Sequence, residues 1–273
     1  MTKVEESLTS YKGFRIDDTV DWRLVIYMSP TGMSAYLKNI ENPLEPVVTV
    51  FEENWQEDER DLLRRIETAV YDHPQLLDDF STDIIICSPR TLWIPDEFAG
   101  DYEEMAKLYN IVYKAEEEDI FSDSFEGMTC LFTLAPGLQA FLRRTLSGAR
   151  ISSHLGVLVK RFMSRGGEMP RVYADVRDGK VDFVVLDDRK LLLASTQEWR
   201  DINDIAYHIF NIMDVYGLNP QNTQVSLSGL RDVKQGLVKL LREQISYVML
   251  TMMPSAVQKS DMPITAAIAI ARS

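Results

Sequence analysis

The chain runs through one pattern twice. Between Trp22 and Cys87 the residues read as three strands, an amphipathic helix and a further strand, and between Arg171 and Ser228 the same order returns. In the first stretch, Trp22–Met28 is rich in β-formers and closes on the turn sequence Ser29-Pro30-Thr31-Gly32. Met33–Ile40 alternates up to Glu41-Asn42-Pro43, and Pro46–Phe51 supplies the third strand. Leu62, Leu63, Ile66, Ala69 and Val70 then recur at helical spacing between charged residues. Asp83–Cys87 is a nearly continuous apolar run, as expected of a strand buried on both faces.

In the second stretch, Arg171–Arg177 and Lys180–Leu186 flank Asp178-Gly179, a pair that favours a two-residue hairpin. Asp187-Asp188 gives another turn and Lys190–Thr196 a third strand. Asp201 suits the N-cap of a helix whose inner face carries Ile202, Ile205, Ala206, Ile209, Met213 and Tyr216, with Gly217 and Pro220 closing it. Thr223–Ser228 follows as a strand. Three meandering strands and a right-handed helical crossover to a strand parallel to the first make a mixed sheet. Such a unit is the front half of a ribonuclease H-like fold, and two in tandem are the plan of the sugar kinase, chaperone and actin superfamily. The expected fold class is therefore α/β, with two tandem ribonuclease H-like (actin-like ATPase) domains.

Between the repeats, the spacing predicts a helix from about Tyr102 to Lys114, a fifth strand at Gly127–Leu134 and a helix after Ala135-Pro136 with Leu138, Phe141, Leu142 and Leu146 inward. A strand at Arg150–His154 and a helix at Leu155–Met163 follow. Arg165-Gly166-Gly167 is the best linker, so the first domain is placed at 1–165 and the second at 168–273. After the second repeat, Leu230, Val233, Leu237, Leu240 and Leu241 mark a helix. Tyr247–Met252 and Ile264–Ala271 are expected as strands, and Met249, Met252 and Met253 as core filler.

Composition excludes several functions. A net charge of −13 argues against a general nucleic-acid binder, which needs a basic face to neutralise phosphates, and disfavours an anionic membrane. The acidic stretches Glu52–Asp61 and Glu116–Asp123 lack the ligand spacing of a calcium loop. Two isolated cysteines, Cys87 and Cys130, and three isolated histidines, His73, His154 and His208, give no metal-ligand spacing and no Cys–His dyad. Reduced cysteines, no hydrophobic signal segment in Met1–Ser7 and no bilayer-length apolar run lead to the expectation of a cytoplasmic protein without membrane insertion.

Actin-like ATPases hold ATP and Mg²⁺ at two acidic, glycine-bearing turns, one per domain, with a further glycine turn at the adenosine. That chemistry needs a carboxylate for the metal and free backbone N–H groups for the phosphates. The matching first turn, Ser29–Gly32, has no carboxylate, and Pro30 removes a donor. Ser29 and Thr31 can hydrogen-bond a phosphate but are poor Mg²⁺ ligands. The matching second turn carries Asp175, Asp178, Gly179 and Lys180, and the adenosine turn carries Ser228 and Gly229. An Asp-Gly hairpin and a glycine at a strand-to-helix turn each have a purely structural explanation as well.

Over essentially its full length the chain resembles an uncharacterised Bacteroidetes family, a domain of unknown function with an actin-like ATPase fold. The likeness is carried most by Tyr173–Gly179 and Val225–Gly229. It implies the two-domain fold and transfers no catalytic residue. The reading that follows is a non-catalytic protein without a cofactor, whose degenerate nucleotide turns leave an interaction or regulatory role with another protein as partner. The alternative is an Mg-ATP-binding phosphotransferase or ATPase that uses Asp175, Asp178, Gly179, Ser228 and Gly229. Neither reading fixes the oligomeric state.

Overall fold

A computed structural model describes residues 10–11, 14–16, 18–42, 44–56, 61–114, 119–251 and 262–271. They form two compact units: one holds the chain up to His154 and from Ala269, the other Leu155 onward and the segment ending at Ile268.

In the first unit a short hairpin, β1 (Ser10–Tyr11) with β2 (Phe14–Arg15), precedes β3 (Trp22–Ser29), β4 (Gly32–Asn39), β5 (Val48–Asn54), α1 (Leu62–Asp72) and β6 (Ser81–Ile86). A small subdomain follows: β7 (Thr91–Pro95), α2 (Tyr102–Tyr113), β8 (Phe121–Phe125) and β9 (Met128–Phe132). The chain then returns through α3 (Leu138–Thr145) to β10 (Arg150–Ser153). The main sheet has the order β10-β6-β3-β4-β5, parallel across β10-β6-β3 and antiparallel across β3-β4-β5.

Alternation along these strands builds the core. Leu24, Ile26 and Met28 of β3, Met33, Ala35 and Leu37 of β4, and Ile84 and Ile86 of β6 join Leu62, Ile66, Ala69 and Val70 of α1 in one apolar cluster. The intervening Val25, Tyr27 and Ile85 are buried as well. That explains why Ile84–Cys87 reads as an unbroken apolar run rather than an alternating one.

The subdomain has its own three-stranded sheet, β7-β9-β8, and a core of Ile94, Tyr109, Ile120 and Leu131. Asp101 caps α2 by accepting the Glu104 N–H at 3.0 Å. Tyr109 and Tyr113 anchor that helix through their hydroxyls, which donate to the Arg90 and Thr91 carbonyls at 3.0 and 2.7 Å.

The second unit contains α4 (His154–Met163) from Leu155 onward, β11 (Arg171–Arg177), β12 (Lys180–Asp187), β13 (Lys190–Glu198), α5 (Ile202–Val215), β14 (Gln224–Gly229), α6 (Arg231–Leu241), β15 (Tyr247–Leu250) and most of α7 (Ile264–Ile270). Its sheet has the order β13-β12-β11-β14-β15. Taken strand by strand this is the order of the first sheet, with β11 in the place of β3 and β15 in the place of β10. The difference lies in one connection. β14 leads directly through α6 to β15, whereas β6 is followed by the three-stranded subdomain before α3 and β10.

Four expectations are corrected. Gly127–Leu134 holds β9, but its partners are β7 and β8, and the fifth strand of the main sheet is β10. Ile264–Ala271 is a helix, because a short apolar run fits either element and its alanines favour the helix. Tyr216 is not part of the inner face of α5; it is the exposed C-cap residue. Met249 is 46% exposed on the edge strand β15 rather than core filler; Met252 and Met253 lie outside the described residues.

Candidate functional site

Each sheet presents the hairpin between its first two strands and the end of the parallel strand beside it. In the second unit the two-residue turn Asp178-Gly179 places Asp175 opposite Asp182 across the β11–β12 pair. Asp175 also lies beside Ser228 on β14, and Asp182 opposite Thr196 on β13. Ser228, Asp175, Asp182 and Thr196 therefore form one polar row across four strands, on the face opposite the Val172, Ala174 and Val176 core.

Three residues of the row are buried, Thr196 is half-buried, and all four are hydrogen-bonded. Ser228 Oγ donates to Asp175 Oδ1 at 2.6 Å, and both residues are buried. Asp182 is buried too; it receives Arg177 Nε at 2.6 Å and Nη2 at 2.8 Å, a bidentate pair, and Thr196 Oγ1 at 2.6 Å. Two buried carboxylates thus share a face with one guanidinium.

The other predicted residues have different surroundings. Asp178 and Gly179 are exposed at the hairpin tip, where Gly179 takes φ +63°, a left-handed conformation that glycine adopts without steric cost. Lys180 pairs at the surface with Glu198 at 3.7 Å. Gly229 has φ +89°, and a Cβ there would lie 2.0 Å from the Val176 carbonyl oxygen. Its absence of side chain is what lets β14 close on β11, and the next N–H, of Leu230, donates to the same carbonyl at 2.9 Å. Of the five candidates, then, the structure brings together Asp175 and Ser228, seats Gly229 beside them, and leaves Asp178 and Gly179 in the solvent.

Trp199, immediately after β13, was not signalled by the sequence reading. Its backbone N–H donates to the Gly179 carbonyl at 3.1 Å, and its indole N–H to the Arg177 and Lys180 carbonyls at 3.0 and 3.1 Å. Trp55, immediately after β5, does the same in the first unit. Its backbone N–H donates to the Thr31 carbonyl and its indole N–H to the Pro30 carbonyl, both at 2.9 Å. Finding the pair requires aligning the two repeats, because neither tryptophan is near its turn in sequence.

The first hairpin is closed on itself. Ser29 Oγ donates to the Gly32 carbonyl at 3.0 Å and accepts the Thr31 N–H at 3.3 Å. Pro30 has no N–H to offer. The row that corresponds to Ser228, Asp175, Asp182 and Thr196 is Ile85, Tyr27, Ser34 and Glu52, so the buried carboxylates of the second unit have no counterpart. Nearby, burial is the main cause that raises the Tyr36 pKa; a hydrogen bond with Ser34 lowers it and the charge of Glu52 raises it further. Among the described residues no group of three or more histidines, cysteines or carboxylates could hold a metal ion, and no helix is long and apolar enough to cross a membrane.

No curated protein matches the chain by sequence. A solved protein of Bacteroides thetaiotaomicron with an actin-like ATPase fold and unknown function is similar over 85% of this chain and 91% of that one, at 22% identity and a TM-score of 0.74. A chain of the PilM–PilN type IV pilus biogenesis complex is similar over 92% of this chain and 97% of that one, at 11% identity and a TM-score of 0.53. These likenesses show an actin-like ATPase fold. Residues 12–248 match the model of a family of proteins of unknown function, and the chain belongs to that family, DUF3822.

Proposed function

We propose that the protein is a cytoplasmic, non-catalytic protein of two tandem ribonuclease H-like domains, acting through contact with another protein rather than by turning over a nucleotide. The observation that carries this reading is the first hairpin. Its Ser29 hydroxyl and Thr31 N–H are spent within the turn, its Pro30 and Thr31 carbonyls are capped by Trp55, and Tyr27 stands where a carboxylate would be needed. The residues present do not fit Mg²⁺-ATP, because such a turn must offer backbone donors to phosphate and a carboxylate to the metal. The fold leaves this open, since architecture alone confers no activity. A likeness to a chain of a pilus biogenesis complex supports a role in assembly, as the same architecture occurs there in a protein that binds another.

One observation favours a second reading, an Mg-ATP-binding phosphotransferase or ATPase. Asp175 and Ser228 are adjacent, with Gly229, at the end of the parallel strands, and Asp178 and Gly179 extend the same hairpin. Calorimetric titration of the full chain with Mg²⁺-ATP separates the two. The proposal predicts no heat of binding, and micromolar binding abolished by Asp175→Ala would overturn it.

A further inference from the structure

The small subdomain between β6 and α3 is where the first half departs from the second, and its sequence is strongly acidic. Residues 96–126 hold eleven carboxylates against Lys107 and Lys114, which accounts for most of the net charge of −13. Several of these acids have structural work: Asp101 caps α2, Asp96 accepts the Thr129 hydroxyl at 2.6 Å, and Asp119 accepts the Gln139 N–H at 3.0 Å at the start of α3. Glu97, Glu103 and Glu126 are exposed and have no cation partner among the described residues.

Helix α2 buries Tyr109 and turns a second apolar stripe outward. Ile111 is 77% exposed and Val112 53%; with Leu108, which is half-buried against the subdomain core, they occupy positions i, i+3 and i+4, a strip that runs from the edge of that core to the outer face. Glu104 continues the strip toward the helix N-terminus, and Lys107 and Lys114 flank it. Two β-branched residues on the outer face of a helix stabilise neither the helix nor the core. Phe98 and Tyr102 add exposed aromatic surface at the start of the same helix.

We propose that the outer face of α2 is a docking surface for a cationic amphipathic helix of a partner protein. The partner's apolar stripe would cover Ile111, Val112 and the outer edge of Leu108, and its lysines or arginines would meet Glu97, Glu103 and the surrounding acids. Charge complementarity selects this occupant. A second copy of the chain would bring one dense acidic surface against another, which costs free energy, whereas a basic helix is steered toward it. Helix-on-helix contact through an i, i+3, i+4 strip is a common mode of peptide recognition. The inference rests on the interaction reading above and names its surface.

The test uses the full chain and a short synthetic peptide with leucines at helical spacing and lysines on both flanks. A scrambled peptide of identical composition is the control. The expected result is binding at least about tenfold tighter for the helical peptide than for the scramble, weakening as salt is raised. That preference should disappear in the Ile111→Ser, Val112→Ser double variant, and in the native chain the peptide should slow amide exchange within α2. Equal binding of both peptides, binding of neither, a preference retained by the double variant, or protection confined to other elements would each overturn the proposal. The Mg²⁺-ATP titration is read without peptide, so failure of this surface and failure of the non-catalytic reading are told apart.

Discussion

Ser228 Oγ donates a 2.6 Å hydrogen bond to Asp175 Oδ1, tying the end of β14 to the middle of the hairpin strand β11 within a buried polar row. A hydroxyl that donates to a buried carboxyl group lowers the cost of keeping that polar group out of water. Ser228→Ala removes the donor without adding bulk. It should cost about 1–3 kcal/mol, the range for removing one hydrogen-bond partner of a buried polar group. Urea denaturation of the full chain measures this, and an unchanged midpoint would mean that the hydroxyl contributes nothing to holding Asp175.

The two tryptophan locks make a paired prediction. Trp55→Phe and Trp199→Phe each keep an aromatic ring beside the hairpin and delete the indole donor, leaving Pro30 O in one unit and Arg177 O and Lys180 O in the other without it. Each substitution should destabilise its unit by about 1 kcal/mol, with Trp199→Phe the larger because its one indole N–H serves two carbonyls. Amide exchange localises the effect. Faster exchange at the two hairpins, without loss of the sheets, is the expected pattern.

How much of this was legible in the sequence follows from what each level of structure depends on. Strand and helix periodicity marked the repeat, because alternation and helical spacing are local properties of Trp22–Cys87 and Arg171–Ser228. The Ile264–Ala271 run was misread as a strand, since a short run of alternating alanine and isoleucine has no period that separates the two elements. The polar row was partly readable. A two-residue turn at Asp178-Gly179 forces Asp175 to face Asp182, yet Asp182 drew no notice because it stands alone in an apolar strand. Trp55 and Trp199 could not be found this way, because their contacts depend on the third strand folding back beside the turn. The exposed face of α2 was equally hidden, since Ile111 and Val112 look like core until the helix is seated on Tyr109.

Two glycines of the candidate site should respond very differently to alanine. At Gly179 the strain comes from φ +63° alone, since an added Cβ meets nothing within 4 Å, so Gly179→Ala should cost about 1 kcal/mol. At Gly229 the same change adds a Cβ 2.0 Å from Val176 O, a backbone atom that cannot move without opening the β11–β14 pair. Gly229→Ala should therefore cost more than about 3 kcal/mol, combining conformational strain with lost strand pairing. Thermal unfolding of the two variants side by side gives the comparison, and equal shifts would contradict the close approach.

The central position of β6 gives the sharpest test of the first sheet. Ile85 is 1% exposed and is flanked in register by Tyr27 on β3 and Ser152 on β10. Two residues earlier on the same strand a carboxylate is tolerated, but Asp83 has Arg23 Nε at 3.8 Å and Arg150 Nε at 3.5 Å. Neither neighbour of Ile85 carries a charge that could neutralise one. Ile85→Asp should therefore bury an unpaired carboxylate at a cost of several kcal/mol, comparable with the whole stability of a typical domain of about 5–15 kcal/mol, and unfold the first unit. Ile85→Val removes only a methylene, should cost about 1 kcal/mol and should keep the fold. Far-UV circular dichroism and denaturation of both variants decide the matter: a stably folded Ile85→Asp protein would show that β6 is not the buried, doubly paired strand of this sheet.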